Sequence, residues 1–191
     1  MQIDFVYSND RPDQCPDLMW ELQVKLDSCA QQLFGKRNPN KSLLRPVFVA
    51  DGPHVRNTLS LDGGFAELSL NAAGYWPTAI YELAHETIHL LDPRPGHPHG
   101  KGATWLEEGL AVNFSLAVSK AIGDPSTKVS VQKYKIANQL FSRLGGNLFH
   151  AAMEIRSRCG HFSDAKISDI LAVSPKVPVN IAEKLVTSFY S

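Results

Sequence analysis

The chain has 191 residues, 43% of them apolar, with 19 basic and 19 acidic side chains that cancel to a formal net charge of zero. That length supports one ordinary domain with a sizeable core and leaves two independent domains cramped. Neutrality without a run of Lys or Arg gives no footprint for nucleic acid or an anionic membrane surface, so the expected partners are peptides or small molecules.

The opening "MQIDFVYSND" alternates apolar and polar residues, which predicts a strand over Ile3 to Tyr7. It lacks a basic n-region and an apolar h-region, and no stretch reaches membrane-spanning length, so a cytoplasmic protein is expected. Cys15, Cys29 and Cys159 are odd in number and scattered, which fits buried thiols better than a disulfide framework or a Cys-x-x-Cys motif. Leu18, Leu22, Leu26, Ala30 and Leu33 form a helical stripe that stops at Gly35. "RPVFVADG" then reads as a buried strand, and "TLSLDGGFAELSLN" as a hairpin turning at Asp62, Gly63 and Gly64. From Pro77 onward helical patterns take over: Thr78 to Leu91, Trp105 to Ile122, Val131 to Cys159 interrupted at "GGN", and a final set ending near Phe189. The expected fold is α+β in a single domain over 1–191, with a small mixed sheet and one helix in 1–76 and a helical lobe in 77–191.

At the seam of these halves lies "YELAHETIHLLDP". His85 and His89 are four residues apart, about 40° on a helical wheel, so both imidazoles can reach one ion while Glu86 projects beside them. Ile80, Ala84, Ile88 and Leu91 supply one apolar flank and Leu83 with Leu90 another, leaving the histidines in a polar notch. The spacing suits Zn2+, and a catalytic zinc takes three protein ligands and keeps one position for water. In "GATWLEEGLAVNF" Thr104 is placed to cap a helix, with Glu107 reaching back to close a capping box. Glu107→Ala is therefore expected to spare the metal. Glu108, about 100° further round that turn, is the third-ligand candidate, eighteen residues after His89.

His-Glu-x-x-His, the eighteen-residue spacer and "WLEEGLA" together resemble the gluzincin metallopeptidases of aminopeptidase type, within the peptidase MA-like superfamily. The family motif ends Trp-Leu-Asn-Glu-Gly-Phe-Ala, so Glu107 stands where an asparagine is usual. The resemblance covers Tyr81 to Val118 and implies a zincin-like fold and hydrolysis of peptide or protein substrates. It makes His85, His89 and Glu108 the zinc ligands, and Glu86 the general base that takes the proton of the zinc-bound water. The family lays its substrate along an edge strand of the sheet, for which "FAELSLN" is the candidate.

"VSVQKYKIANQLFSRLGG" resembles the family segment in which a tyrosine opens a helix closing over the cleft, although this helix is about a turn shorter. Tyr134 is thus a candidate oxyanion donor, with core packing as its alternative role and His150 and His161 in reserve. Glu67 resembles the family's amine-binding glutamate only faintly, because Met-Glu-Asn is missing. Alternation puts Glu67, Ser69 and Asn71 on an exposed strand face, which leaves endopeptidase and aminopeptidase both open. His97 and His99 of "DPRPGHPHGKG" do not fit the metzincin pattern, which needs a histidine where Pro95 stands, and this loop reads as a lid. Asp92, before Pro93, reads as a helix-terminus residue or a supporting partner of the histidines. Two rival functions remain: a zinc-binding regulatory or peptide-binding module without catalysis, and solvated helix histidines with no metal.

Overall fold

Residues 1–95, 102–124 and 127–190 are described by a computed structural model. Proline in the first turn and the Leu22, Leu26, Ala30 stripe make α1 (Pro16–Phe34) a covering helix whose apolar side is buried. Its end at Gly35, where φ is +96°, leaves the carbonyls of Phe34, Gly35 and Lys36 open. The buried Arg156 guanidinium donates to all three, at 3.1, 2.6 and 3.0 Å.

The sheet contains β1 (Ser42–Leu43), β2 (Val47–Val49), β3 (His54–Asn57) and β4 (Gly63–Ser69). β4 is central, with β1 and β2 parallel to it along one edge and β3 antiparallel along the other. Ser69 ends β4 and caps the short α2 (Leu70–Gly74), its hydroxyl accepting from the Ala72 N–H. Its own N–H and hydroxyl donate to the Glu82 carboxylate at 2.8 and 2.6 Å. That carboxylate belongs to α3 (Trp76–His89), which crosses to α4 (Trp105–Ile122). The rest is α5 (Gln132–Ser142), α6 (Leu148–Cys159), α7 (Ile167–Val173) and α8 (Val179–Leu185), so the class is α+β.

One apolar cluster joins Ile3, Phe5, Leu22, Leu68, Leu83, Phe114 and Ile155, and therefore both halves of the chain. Burying each of the larger side chains contributes about 1.5–3 kcal/mol. A glycine brings α4 and α5 together: a Cβ on Gly109 would lie 2.5 Å from the Ala137 carbonyl oxygen and 2.6 Å from the Phe141 Cβ. No helix among the described residues is long and apolar enough to cross a membrane.

Several sequence expectations need correction. Ile3 to Tyr7 form no strand. Their alternation instead reflects packing, since Ile3 and Phe5 are buried and the rings of Phe5 and Tyr7 lie on Trp76. The hairpin exists, but its first arm is β3, and Thr58 to Asp62 form the loop. There Thr58 and Ser60 donate to Asp62 Oδ1 at 2.7 and 2.5 Å, and Leu61 takes φ +58°. Gly63 and Gly64 lie inside β4, where a Cβ on Gly63 would meet the Ser42 carbonyl oxygen at 2.6 Å. They serve close strand approach rather than the turn. β2 is half-exposed rather than buried, and the three cysteines are free and only partly buried. The sheet half holds α2 as well as α1, and Val131 to Cys159 resolves into α5 and α6.

Candidate metal centre

α3 sinks Ile80, Leu83, Ala84 and Ile88 into the core, which turns His85 and His89 toward the first turn of α4. Glu108, 1% exposed, meets them there. Its Oε2 lies 3.0 Å from His85 Nε2, and its Oε1 lies 3.7 Å from His89 Nε2. One ligand atom from each residue falls within 4.8 Å of the other two, so the structure brings together the three predicted candidates as a group that could hold a metal ion. Glu86, also buried, faces the same cavity.

Thr104 caps α4 as expected, accepting from the Glu107 N–H at 3.4 Å. Glu107 does not close the capping box. Its Oε1 lies 2.9 Å from His89 Nδ1, and its Oε2 accepts from the Ser163 hydroxyl at 2.5 Å. His89 thus has a carboxylate on Nδ1 and leaves Nε2 toward Glu108, the arrangement that orients a metal-binding imidazole. Burial opposes charge on His89, but Glu108 and Glu107 outweigh it and raise the His89 pKa. Burial likewise opposes charge on Glu107 and Glu108, and in each the histidines outweigh it and hold the carboxyl low. Burial dominates at Glu86, which is pushed up against the pull of His85 and His89.

The cavity, about 490 Å³, is floored by this cluster and walled on one side by Pro53, His54 and Val55. The strand along the cleft is therefore β3, an edge strand, and not the "FAELSLN" strand, which is central. Tyr134 forms another wall, its ring edge-on to His85 with centroids 5.4 Å apart. It also stacks on Phe189 at 5.2 Å, so its packing role and its place at the site coincide. Pro53 and Tyr134 border a second cavity of about 640 Å³ beside Tyr75, Tyr81 and Val131. Burial, then Glu108 and Glu82, push the Tyr81 pKa up to about 12.

The reserve donors fare differently. His150 is exposed and pairs with Glu154 at 3.2 Å, outside the cavity lining. His161 lines the cavity, but its Nδ1 accepts from the Ser163 N–H at 3.0 Å and its Nε2 donates to the Asp92 carbonyl at 3.1 Å. Both nitrogens are committed within the protein. The Asp92 carboxylate accepts from Asn38 at 2.9 Å and from Arg94 at 3.2 Å, which clips the exit of α3. Glu67 is buried, against the expectation of an exposed face; Arg56 Nε donates to it at 2.6 Å and His54 Nε2 lies 2.6 Å away. The Arg56 hydrogen bond holds its carboxyl below the usual range. His97, His99 and the lid assigned to their loop lie outside the described residues.

Sequence reasoning missed Tyr190, whose hydroxyl donates to Glu108 Oε1 at 3.2 Å. The only sequence signal is the aromatic pair Phe189–Tyr190, which has no spacing relation to the motif. Compared with protein families, with curated proteins and with solved structures, the chain finds no match in any of the three.

Proposed function

We propose that the chain is a zinc-dependent peptidase of zincin-like fold and gluzincin type, in which His85, His89 and Glu108 hold Zn2+ and Glu86 is the general base. The observation that carries this reading is the convergence of three ligand atoms within 4.8 Å on the floor of a cavity. The donor set of two imidazoles and one carboxylate suits zinc, and Glu107 on His89 Nδ1 supplies the outer support such a site needs. When bound, zinc supplies a Lewis acid that polarises a carbonyl and acidifies water.

The chain's own residues do the remainder. The buried Glu86 carboxylate accepts a proton from the attacking water and passes it to the leaving amine. Burial raises its pKa, which suits a group that both takes and returns a proton. The Tyr134 hydroxyl, on the wall beside His85, donates to the carbonyl oxygen as charge develops on it. An extended peptide lies along β3, which is the edge strand at the cavity. Free thiols support a reducing setting such as the cytoplasm, with peptides or proteins as substrates. A module that held zinc and a peptide without cutting would have no use for Glu86. The deciding experiment is elemental analysis followed by a peptide-library digest with and without chelator. One zinc per chain and chelator-sensitive cleavage are expected; a metal-free protein, or cleavage that survives metal removal, would overturn the reading.

A further inference from the structure

We infer that Tyr190 is a positioning residue of the metal centre: its hydroxyl occupies Oε1 of Glu108, so that Oε2 is the oxygen held against His85. The inference rests on the zinc reading above.

A carboxylate turns easily about its last bond, because that torsion is broad. Glu108 needs something to fix which oxygen faces His85 and which faces His89. Its Oε2 lies 3.0 Å from His85 Nε2, whereas its Oε1 accepts from the Tyr190 hydroxyl at 3.2 Å and stands 3.7 Å from His89 Nε2, beyond hydrogen-bond distance. The two oxygens thus have different neighbours, which breaks the symmetry of the group.

Tyr190 is held for this task by its neighbours in the chain. The Trp105 N–H donates to the Thr187 carbonyl at 3.2 Å, and the Phe189 N–H donates to the Ala103 carbonyl at 2.9 Å. Thr104 and Ser188 form an antiparallel bridge between them. This strap pairs with the residues that open α4, the helix that carries Glu108. The Phe189 ring wedges against Trp105 at 4.8 Å and Tyr134 at 5.2 Å. Strap and ligand therefore keep a fixed relation.

The orientation of Tyr190 argues against a packing role. A tyrosine that serves packing buries its ring and turns its hydroxyl to water. Tyr190 does the reverse. The residue is 64% exposed, yet its hydroxyl reaches a carboxylate that is 1% exposed. The buried apolar contacts of the strap are those of Phe189, with the Tyr190 ring edge-on to it at 5.2 Å.

Tyr190→Phe deletes only the hydroxyl, and Tyr7→Phe, on the Trp76 side of the molecule, controls for loss of a phenol. Zinc affinity is measured by competition with a chromophoric chelator, the absorption bands of the cobalt-substituted protein are recorded, and metal-free melting temperatures are compared. The expected result for Tyr190→Phe is zinc binding weaker by about 10-fold or more, the scale for losing a partner that orients a ligand. Its cobalt bands shift and its metal-free melting temperature matches wild type, while Tyr7→Phe binds both metals as wild type does. Zinc affinity within about twofold of wild type, with unshifted cobalt bands, would overturn the inference and leave the zinc reading intact. So would a fall in affinity matched by a fall in metal-free melting temperature, which marks a structural role. Wild-type protein that binds neither zinc nor cobalt would sink both together.

Discussion

Glu107 Oε1 lies 2.9 Å from His89 Nδ1, which makes the residue before the third ligand the partner of the second. The capping box assigned to Glu107 from sequence would leave zinc binding untouched by its loss, whereas its place on His89 predicts the opposite. Glu107→Ala should weaken zinc by about 10- to 100-fold, and Glu107→Gln, which keeps an acceptor, by less. His85→Ala, His89→Ala and Glu108→Ala should each cost more, because each removes a bond to the ion. Chelator competition across the five variants gives the ranking; wild-type affinity in Glu107→Ala would restore the capping assignment.

Glu86→Gln keeps shape and volume but cannot take a proton at neutral pH. Zinc content should stay at one per chain while turnover falls about 10²- to 10⁴-fold. Single-turnover hydrolysis by zinc-loaded protein is the measurement, and full activity would remove the proposed base.

Tyr134→Phe deletes a hydroxyl beside His85 and retains the ring stacked on Phe189. Folding and zinc content should hold, with turnover lower by about 10²-fold and substrate affinity changed by no more than a few-fold. Wild-type turnover would end the oxyanion role and leave Tyr134 as a packing residue.

Glu67 is paired with the Arg56 guanidinium, so it offers no unbalanced charge to a substrate ammonium group. N-acetylated peptides should be cut as readily as peptides with a free amino terminus. Mass spectrometry of digests of paired blocked and unblocked peptides tests this, and cleavage confined to free amino termini would contradict it.

Gly109→Ala places a methyl group where the backbone of Ala137 already lies. The close approach of α5 to α4 must then relax, at about 1–3 kcal/mol of stability. Because α5 carries Tyr134 while α3 and α4 carry the ligands, turnover should suffer more than zinc content. Thermal melts and elemental analysis separate the two effects; an unchanged melting temperature would show that the helices have slack.

The local signals were legible wherever one segment determined its own state. α4 begins at its cap and spans Trp105–Ile122 as its pattern says, and the three ligand candidates converge as their spacing allows. Legibility failed where the answer depended on a distant segment. The alternation of Ile3 to Tyr7 describes a face packed on Trp76, and a face alone does not disclose whether the backbone has a strand to pair with. Gly63 and Gly64 suit a turn and a tight strand crossing equally well, and only the partner Ser42 decides between them. Glu107 had a sufficient local task in the capping box, and Ser163, 56 positions away, helped to draw it elsewhere. Tyr190 lies 82 residues from the carboxylate it holds, beyond the reach of any periodicity.

Ser69 is donor to Glu82 through both its backbone and its hydroxyl, at the point where the sheet gives way to the helices. The strand wall of the cleft and the histidine-bearing helix are therefore parts of one jaw, braced against each other and unable to gape independently. The opposite wall is braced as well, since the strap that brings Tyr190 is hydrogen-bonded to the start of α4 and α5, which brings Tyr134, is packed on Gly109 of α4. Strap and α5 each bring a phenol, so the polar lining of the cavity is set by the same packing that fixes its width.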